Sequence, residues 1–230
     1  MQPIGGVLCS LCGERIFNPF APQTSAVKCG LCRRAAPPFI RAVAYGSYER
    51  ELRGLIHLLK YEGVLPAKKA LGRLLAQAIA ALSAEFGPEV VLVPVPLHAS
   101  KKRQRGFNQA ELAAAEAIRL IGGNTLRLES GVLVRRRNTE SQIGLTRHQR
   151  RENMRGAFAV TRREAVKGRE VLLVDDVFTT GTTVSECSKV LLSAGASKVW
   201  VATIARTLKA EVQVGNAGAS EAVQALKAAV

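Results

Sequence analysis

Apolar residues recur at three- and four-residue steps between Glu49 and Tyr61. This puts Leu52, Leu55, Ile56 and Leu59 on one face of a predicted helix, with Gly63 just beyond it as a stop. The same spacing in Leu71, Leu74, Leu75, Ala78, Ile79 and Leu82 predicts a second core-facing helix across Leu71 to Phe86. Two shorter runs are of another kind. Val90 to Val95 and Val171 to Val174 are continuously apolar and rich in β-branched residues, as strands buried on both faces are. Asn108 to Ile121 and Thr183 to Ala194 read as further helices, and Val132 to Val134 and Lys198 to Ile204 as further strands. Strands alternating with helices predict an α/β fold in which a parallel sheet is flanked by helices. Ligands of such sheets lie outside the carboxyl ends of the strands, so the loops after Val95 and Val174 are where chemistry is expected.

The ends of the chain follow other patterns. Residues 1–38 hold four of the five cysteines, several glycines, and the Pro37-Pro38 pair that breaks regular structure, so a domain boundary is placed there. Residues 39–208 carry the α/β pattern. Residues 209–230, rich in Ala, Gly and small polar side chains, are expected to be a weakly ordered tail. Cys9, Cys12, Cys29 and Cys32 form two C-x-x-C pairs separated by 16 residues, a spacing that presents four thiolates to one tetrahedral Zn²⁺. Two disulfides, or a redox C-x-x-C, are the alternatives. The opening Met1 to Leu8 lacks the basic and apolar regions of a secretory signal, and no thioredoxin-like strand precedes either pair, which favours zinc and a cytoplasmic location. With all four ligand positions filled, the metal is expected to be structural. Cys187 stands alone on a predicted helix and reads as a packed core thiol.

Composition narrows the classes further. No apolar run reaches the roughly 18 residues of a membrane span, so no membrane insertion is expected. Lys and Arg outnumber Asp and Glu by 33 to 18, which points to an anionic partner. Residues 101–163 carry 15 basic and 5 acidic side chains, a net +10 out of the chain's +15, so the excess is concentrated in the middle.

The most specific chemistry lies in Val171-Leu-Leu-Val-Asp-Asp-Val-Phe-Thr-Thr-Gly-Thr-Thr183. A buried strand delivers Asp175 and Asp176 to its carboxyl end, where two carboxylates can accept hydrogen bonds from a sugar diol directly or through Mg²⁺. Thr179, Thr180, Thr182 and Thr183 offer hydroxyl donors, and Gly181 lets the backbone approach closely. The helix that follows aims N–H groups at an anion. An ordinary capped helix would explain one or two of these residues, but adjacent acids beside four threonines are costly without a ligand. The reading is a site for a phosphorylated ribose. A P-loop is excluded, because G-x-x-x-x-G-K-[ST] does not occur.

This segment resembles the phosphoribosyl pyrophosphate signature of type I phosphoribosyltransferases. Together with the four-cysteine module, Arg105-Gly-Phe-Asn-Gln109 and Arg151-Glu-Asn-Met-Arg-Gly-Ala-Phe158, the chain is similar to the ComF family, which is linked to natural transformation. The resemblance implies a type I phosphoribosyltransferase-like sheet with Asp175 and Asp176 on the ribose hydroxyls and Thr179 to Thr183 on the 5′-phosphate. It implies a pyrophosphate loop over Val95, Pro96, Leu97 and on to Lys101, Lys102 and Arg103. It further implies a closing loop within Arg135 to Arg155 that contains Arg147, Arg150 and Arg151, and Mg²⁺ bound with the phosphoribosyl pyrophosphate. The implied partners are single-stranded DNA and the helicase-like ATPase of a competence system. A nucleotide sensor without transferase turnover fits the same residues. The acceptor is not readable: with three Tyr and one Trp in the chain, no aromatic platform is evident, though the helices from Glu49 to Phe86 fall where the family's hood would be. Of the three histidines, His98 and His148 lie in the two loops and His57 on a helix, and none is marked as a general base.

Overall fold

A computed structural model of the chain describes residues 1–16, 26–137 and 146–208; the side chains of Arg147, His148, Arg150 and Arg151 lie outside that description. In chain order the elements are α1 (Gly30–Arg34), β1 (Ala42–Ser47), α2 (Arg50–Glu62), α3 (Ala67–Ala80), β2 (Val90–Pro94), α4 (Ala99–Arg105) and α5 (Gln109–Ile121). They continue with β3 (Leu126–Leu128), β4 (Leu133–Arg135), α6 (Arg147–Met154), β5 (Phe158–Val160), β6 (Glu170–Phe178), α7 (Thr182–Ser193) and β7 (Lys198–Arg206). Five strands form a wholly parallel sheet in the order β1-β7-β6-β2-β3, and β4 and β5 make a separate antiparallel pair.

Strand alternation divides the core in two. Val91, Val93, Val171, Leu173, Val199 and Val201 face one side, where α7 and the β4–β5 pair cover them with Val184, Cys187, Leu191 and Phe158. Val90, Leu92, Leu172, Val174, Trp200, Ala202 and Ile204 face the other, under α2, α3 and α5. Both faces are covered, which is why these strands read as continuous apolar runs rather than alternating ones.

The parallel α/β architecture and the long helices agree with the sequence reading. The differences are informative. β1 escapes a hydrophobicity pattern because it is short and contains Gly46, yet a Cβ there would meet Leu52 Cδ2 at 2.7 Å, so the glycine allows α2 to lie close. The stretch after Val95 is not all loop: α4 occupies Ala99–Arg105, capped by the His98 side chain, which accepts from Ser100 N. β6 runs four residues past Val174, because β7 continues to pair with it through Asp175↔Thr203 and Phe178↔Arg206. β2 stops earlier, at the Pro94↔Val174 pair. From Asp175 onward β6 therefore has one strand neighbour instead of two, and an open step forms at the carboxyl edge of the sheet.

Candidate functional site

Asp175 and Asp176 stand on that step. Because they are adjacent on a strand, they leave it on opposite faces. Asp176 is buried, and its Oδ2 accepts from Lys60 Nζ at 2.7 Å and from Gln109 Nε2 at 3.3 Å, while its Oδ1 accepts from Val177 N at 2.9 Å. Half-buried Asp175 has its Oδ1 on Asp176 N at 2.9 Å. The environments push the two acids apart. Burial, reinforced by the neighbouring Asp176 anion, raises the Asp175 carboxyl well above its ordinary value. Burial alone would do the same to Asp176, but the Lys60 ammonium outweighs it and holds that carboxyl below the usual range. Lys60 is affected in turn: burial opposes its charge, the Asp176 anion prevails, and its pKa is pushed up to about 12.

Lys60 lies on the same helical stripe as Leu52 and Ile56, eight and four residues before it. A lysine on an apolar stripe is the signal that sequence reading passed over. Gln109 is held by Arg105, whose Nη1 donates to its Oε1 at 2.7 Å, and Asn108 caps α5 through Ala110 N while its Nδ2 donates to Val95 O at 3.0 Å. The Arg105-to-Gln109 segment thus ties the end of β2 to the acid on β6.

Val95 is buried and pinned at both ends, since its N–H donates to Val174 O at 2.8 Å; Pro96 and Leu97 follow half-buried. α4 carries four basic residues, and besides Arg105 it is Lys101 that feels the charges around the acidic pair. Desolvation, followed by repulsion from Arg135, Arg105 and Lys60, holds its ammonium below the ordinary value. Lys102 leans instead toward Glu111 at 3.8 Å; Lys101 and Arg103 are both exposed. Arg135 is half-buried, with burial lowering its pKa and the charge of Asp175 partly restoring it. Arg147, Arg150 and Arg151 fall on α6, where their side chains lie outside the described residues, as do residues 138–145 of the expected closing loop. Within the Arg151-to-Phe158 motif, Met154, Ala157 and Phe158 are buried, and Gly156 N donates to Glu186 Oε1 at 3.0 Å, packing the segment onto α7.

The turn after β6 is tight. Gly181 has φ 74 and caps α7 by its backbone. Thr179 is exposed, Thr180 and Thr183 are half-buried and Thr182 is buried; Thr180 Oγ1 and Thr182 Oγ1 share a hydrogen bond of 2.8 Å. A Cβ on Gly181 would come within 2.6 Å of Phe178 Cζ. We therefore expect Gly181→Ala to cost about 1–2 kcal/mol for the left-handed backbone alone, with the ring clash added. Urea unfolding checks the effect.

Two tyrosines and a histidine meet beside Lys60. Tyr48 Oη and His57 Nε2 are 3.0 Å apart, the His57 and Tyr61 ring centroids lie 5.0 Å apart, and the Arg105 guanidinium sits 5.5 Å from the Tyr61 ring. This aromatic group was not evident in the sequence, because its members are scattered over a strand end and a helix.

At the amino-terminal end, the four cysteine sulfurs all lie within 4.8 Å of one another, with Cys12 and Cys29 Sγ 3.7 Å apart. A tetrahedral ion with bonds of about 2.3 Å spaces its sulfurs about 3.8 Å apart, far beyond the roughly 2.05 Å of a disulfide. The cysteines are free thiols, not bridges. Without a cation the cluster tolerates little charge. Cys9 is lowered to about 4, chiefly by a hydrogen bond from Cys12, and Cys29 N donates to its sulfur at 3.3 Å. Its hydrogen bond to Cys9 raises Cys12, and burial pushes Cys32 up to about 12. A dication is what would let the remaining thiols ionise together. The cluster fits a zinc module.

A parallel sheet with an acidic pair and a glycine-centred threonine turn at one strand end defines the phosphoribosyltransferase class of fold. Residues 65–215 match the family model for the phosphoribosyl transferase domain. The chain is 34% identical over 203 residues to the DNA utilization protein YhgH of Salmonella typhimurium, covering 87% of this chain and 85% of that one. It is 33% identical over 202 residues to Competence protein F of Haemophilus influenzae, covering 86% and 84%. Competence protein ComFC of Bacillus subtilis is 30% identical over 105 residues, 46% of this chain and 39% of that one. The chain belongs to the phosphoribosyl transferase domain family, within its ComF group. Among the described residues no helix is long and apolar enough to cross a membrane.

Proposed function

We propose that the protein binds phosphoribosyl pyrophosphate with Mg²⁺ at the carboxyl ends of β2 and β6, and that it serves in the uptake or use of DNA in the cytoplasm. The observation that carries the reading is an electrostatic one. Lys60 pairs with Asp176, Arg135 feels the charge of Asp175, Arg105 is linked to Asp176 through Gln109, and Lys101 is depressed by desolvation and then by repulsion from Arg135, Arg105 and Lys60. A polyanion would relieve that repulsion. Asp175 and Asp176 would take the ribose hydroxyls, Thr179 to Thr183 with Gly181 the 5′-phosphate, and Val95 to Leu97 with Lys101 the pyrophosphate. Lys102 and Arg103, exposed on α4, would flank the pyrophosphate from the solvent side. Mg²⁺ would supply charge neutralisation on the leaving pyrophosphate. The segment bearing Arg147, Arg150 and Arg151 would exclude water as positive charge develops on the ribose. His98 is engaged as the cap of α4, so it is not assigned as a general base.

Isothermal titration with phosphoribosyl pyrophosphate and Mg²⁺ tests the first step. Because burial holds Asp175 protonated above its ordinary range and the bound ribose favours its anion, binding should release protons and weaken as the pH falls below the raised Asp175 value. Wild-type protein that binds nothing, or binds with the same heat in buffers of different ionisation enthalpy, would count against the assignment. Pyrophosphate release with a panel of bases then asks whether transfer follows.

The relatives' names and the basic middle segment favour a second reading, in which a single DNA strand is bound by basic side chains from residues 101–163. The ribose phosphate pocket would then act as a nucleotide sensor. Strand affinity should drop steeply with salt as counterions are released. Association that ignores salt rejects this reading. In the same proposal the zinc module, residues 1–38, is structural, residues 39–208 form the ligand domain, and an ATPase of the uptake machinery is the candidate protein partner. Residues 209–230, the expected tail, lie outside the described residues.

A further inference from the structure

We propose that Arg206 couples the cysteine cluster to the Thr179–Thr183 turn, so that the metal state of the cluster sets how well the turn holds a phosphate ester. This rests on reading the turn as the phosphate loop and the cluster as a metal site.

Arg206 ends β7 and is 4% exposed. Its guanidinium faces the cysteine module on one side: Nη1 donates to the Cys12 carbonyl, Nη2 donates to Glu14 Oε2 at 2.9 Å, and Nη2 lies 4.0 Å from Cys12 Sγ. On the other side its plane rests on the Phe178 ring, 4.4 Å from the centroid. Phe178 is the last residue of β6, and its ring edge occupies the space where Gly181 has no Cβ. Thr207 N donates to Phe178 O at 3.0 Å, which ties the ends of β6 and β7 together by backbone as well. The chain of contact is therefore Cys12, Arg206, Phe178, Gly181, with no gap in it. A guanidinium suits the middle position because it offers a fork of donors in its plane and a stacking face at once.

The physical consequence concerns order. When the four sulfurs share an ion, the Cys12 loop and its carbonyl are held, and Arg206 keeps the orientation that presses Phe178 against the turn. When the ion leaves, the four sulfurs lose their common tie, the Cys12 carbonyl loses its fixed place, and the guanidinium, left with Glu14 as its anchor, is held less firmly against the ring. The turn then samples conformations in which its N–H groups no longer converge. Arg206 is a positioning residue, since it reaches the phosphate only through Phe178 and the backbone of Gly181.

The test uses the full chain loaded with Zn²⁺, and a chelated sample of the same protein. Amide hydrogen exchange across Phe178 to Val184 is followed without ligand, and ribose 5-phosphate binding is measured in parallel. Metal removal is expected to accelerate exchange in this turn and to weaken the phosphate ester by a factor within the roughly 5- to 150-fold range usual for coupled sites. Arg206→Gln should produce the same change in the zinc-loaded protein, and chelation of that variant should add little more. Arg206→Lys should not rescue, because an ammonium cannot both stack and fork. If Arg206→Gln fails to fold, Phe178→Leu, which keeps the Arg206 hydrogen bonds and removes the stacking face, carries the same cycle. Exchange in the turn that is indifferent to metal, or effects of metal removal and substitution that simply add, would overturn the coupling. Coupled exchange in a protein that binds no ribose 5-phosphate would leave the coupling standing and refute the phosphate-loop reading instead.

Discussion

Asp175→Asn is expected to leave the protein at least as stable as the wild type at neutral pH while abolishing ribose phosphate binding, whereas Asp176→Asn loses binding and stability together. The two acids are neighbours on one strand, but the fold treats them oppositely. The Asp175 carboxyl is raised above its unfolded value, so the native state holds a proton that the unfolded chain has already released, and ionised Asp175 works against folding above that raised pKa. An amide removes the penalty. Asp176 is lowered, so its contribution is fully present above the unfolded carboxyl range and fades as pH falls through its own lower value. Its loss leaves the Lys60 ammonium, 22% exposed, without its carboxylate. Breaking a buried pair from one side costs about 3–5 kcal/mol, and the residual access of Lys60 to water points to the lower end. Urea midpoints for both variants between pH 5 and 8, alongside titration with phosphoribosyl pyrophosphate, decide the matter. Equal destabilisation by the two changes would refute the asymmetry. If both variants kept their affinity, the ribose would have to be held elsewhere. Salt-dependent binding of single-stranded DNA, if a remote basic surface carries it, should persist in both.

Loss of one sulfur from the amino-terminal cluster should have a still larger effect on stability. Cys32→Ser is expected to lower bound zinc from one ion per chain to near zero and to unfold the module. Binding energies of structural zinc are on the order of 10 kcal/mol at neutral pH, and in so small a unit that energy is folding energy. Among the described residues, the core of the module is the cysteines themselves with Leu11, Ile16 and Leu31 beside them. Its attachment to the sheet, through Ala42 N to Leu11 O at 2.7 Å and Ile4 N to Tyr45 O at 2.9 Å, should loosen with it. Metal analysis and thermal unfolding with and without chelator check this. A serine variant that retains a full equivalent of zinc, or wild-type protein whose melting ignores the chelator, would remove the structural role.

What could be read from the chain alone was whatever is local. Helical stripes such as Leu52, Ile56 and Leu59, buried valine runs, the C-x-x-C spacing and the Asp-Asp followed by Thr-Thr-Gly-Thr-Thr each express their physics within a few residues. They were enough to anticipate a parallel sheet flanked by helices, a four-thiolate cluster and the strand end where the acids sit. β3 and β5 were not anticipated because neither Leu126-Arg-Leu128 nor Phe158-Ala-Val160 is the kind of β-branched run that marked the other strands. α4 was missed because Ala99-Ser-Lys-Lys-Arg-Gln-Arg105 has no apolar face to announce it.

The tertiary structure decided how these parts act on one another. Lys60 meets an acid 116 residues away, Arg206 reaches Cys12 and Glu14 across more than 190, and Tyr48, His57 and Tyr61 gather beside them. Only the register of β6 against β2 and β7 shows that Asp175 and Asp176 stand on an open step with opposite environments. The reason is that charge and desolvation depend on distance in space, and a chain specifies those distances only after its two core faces have closed on the sheet.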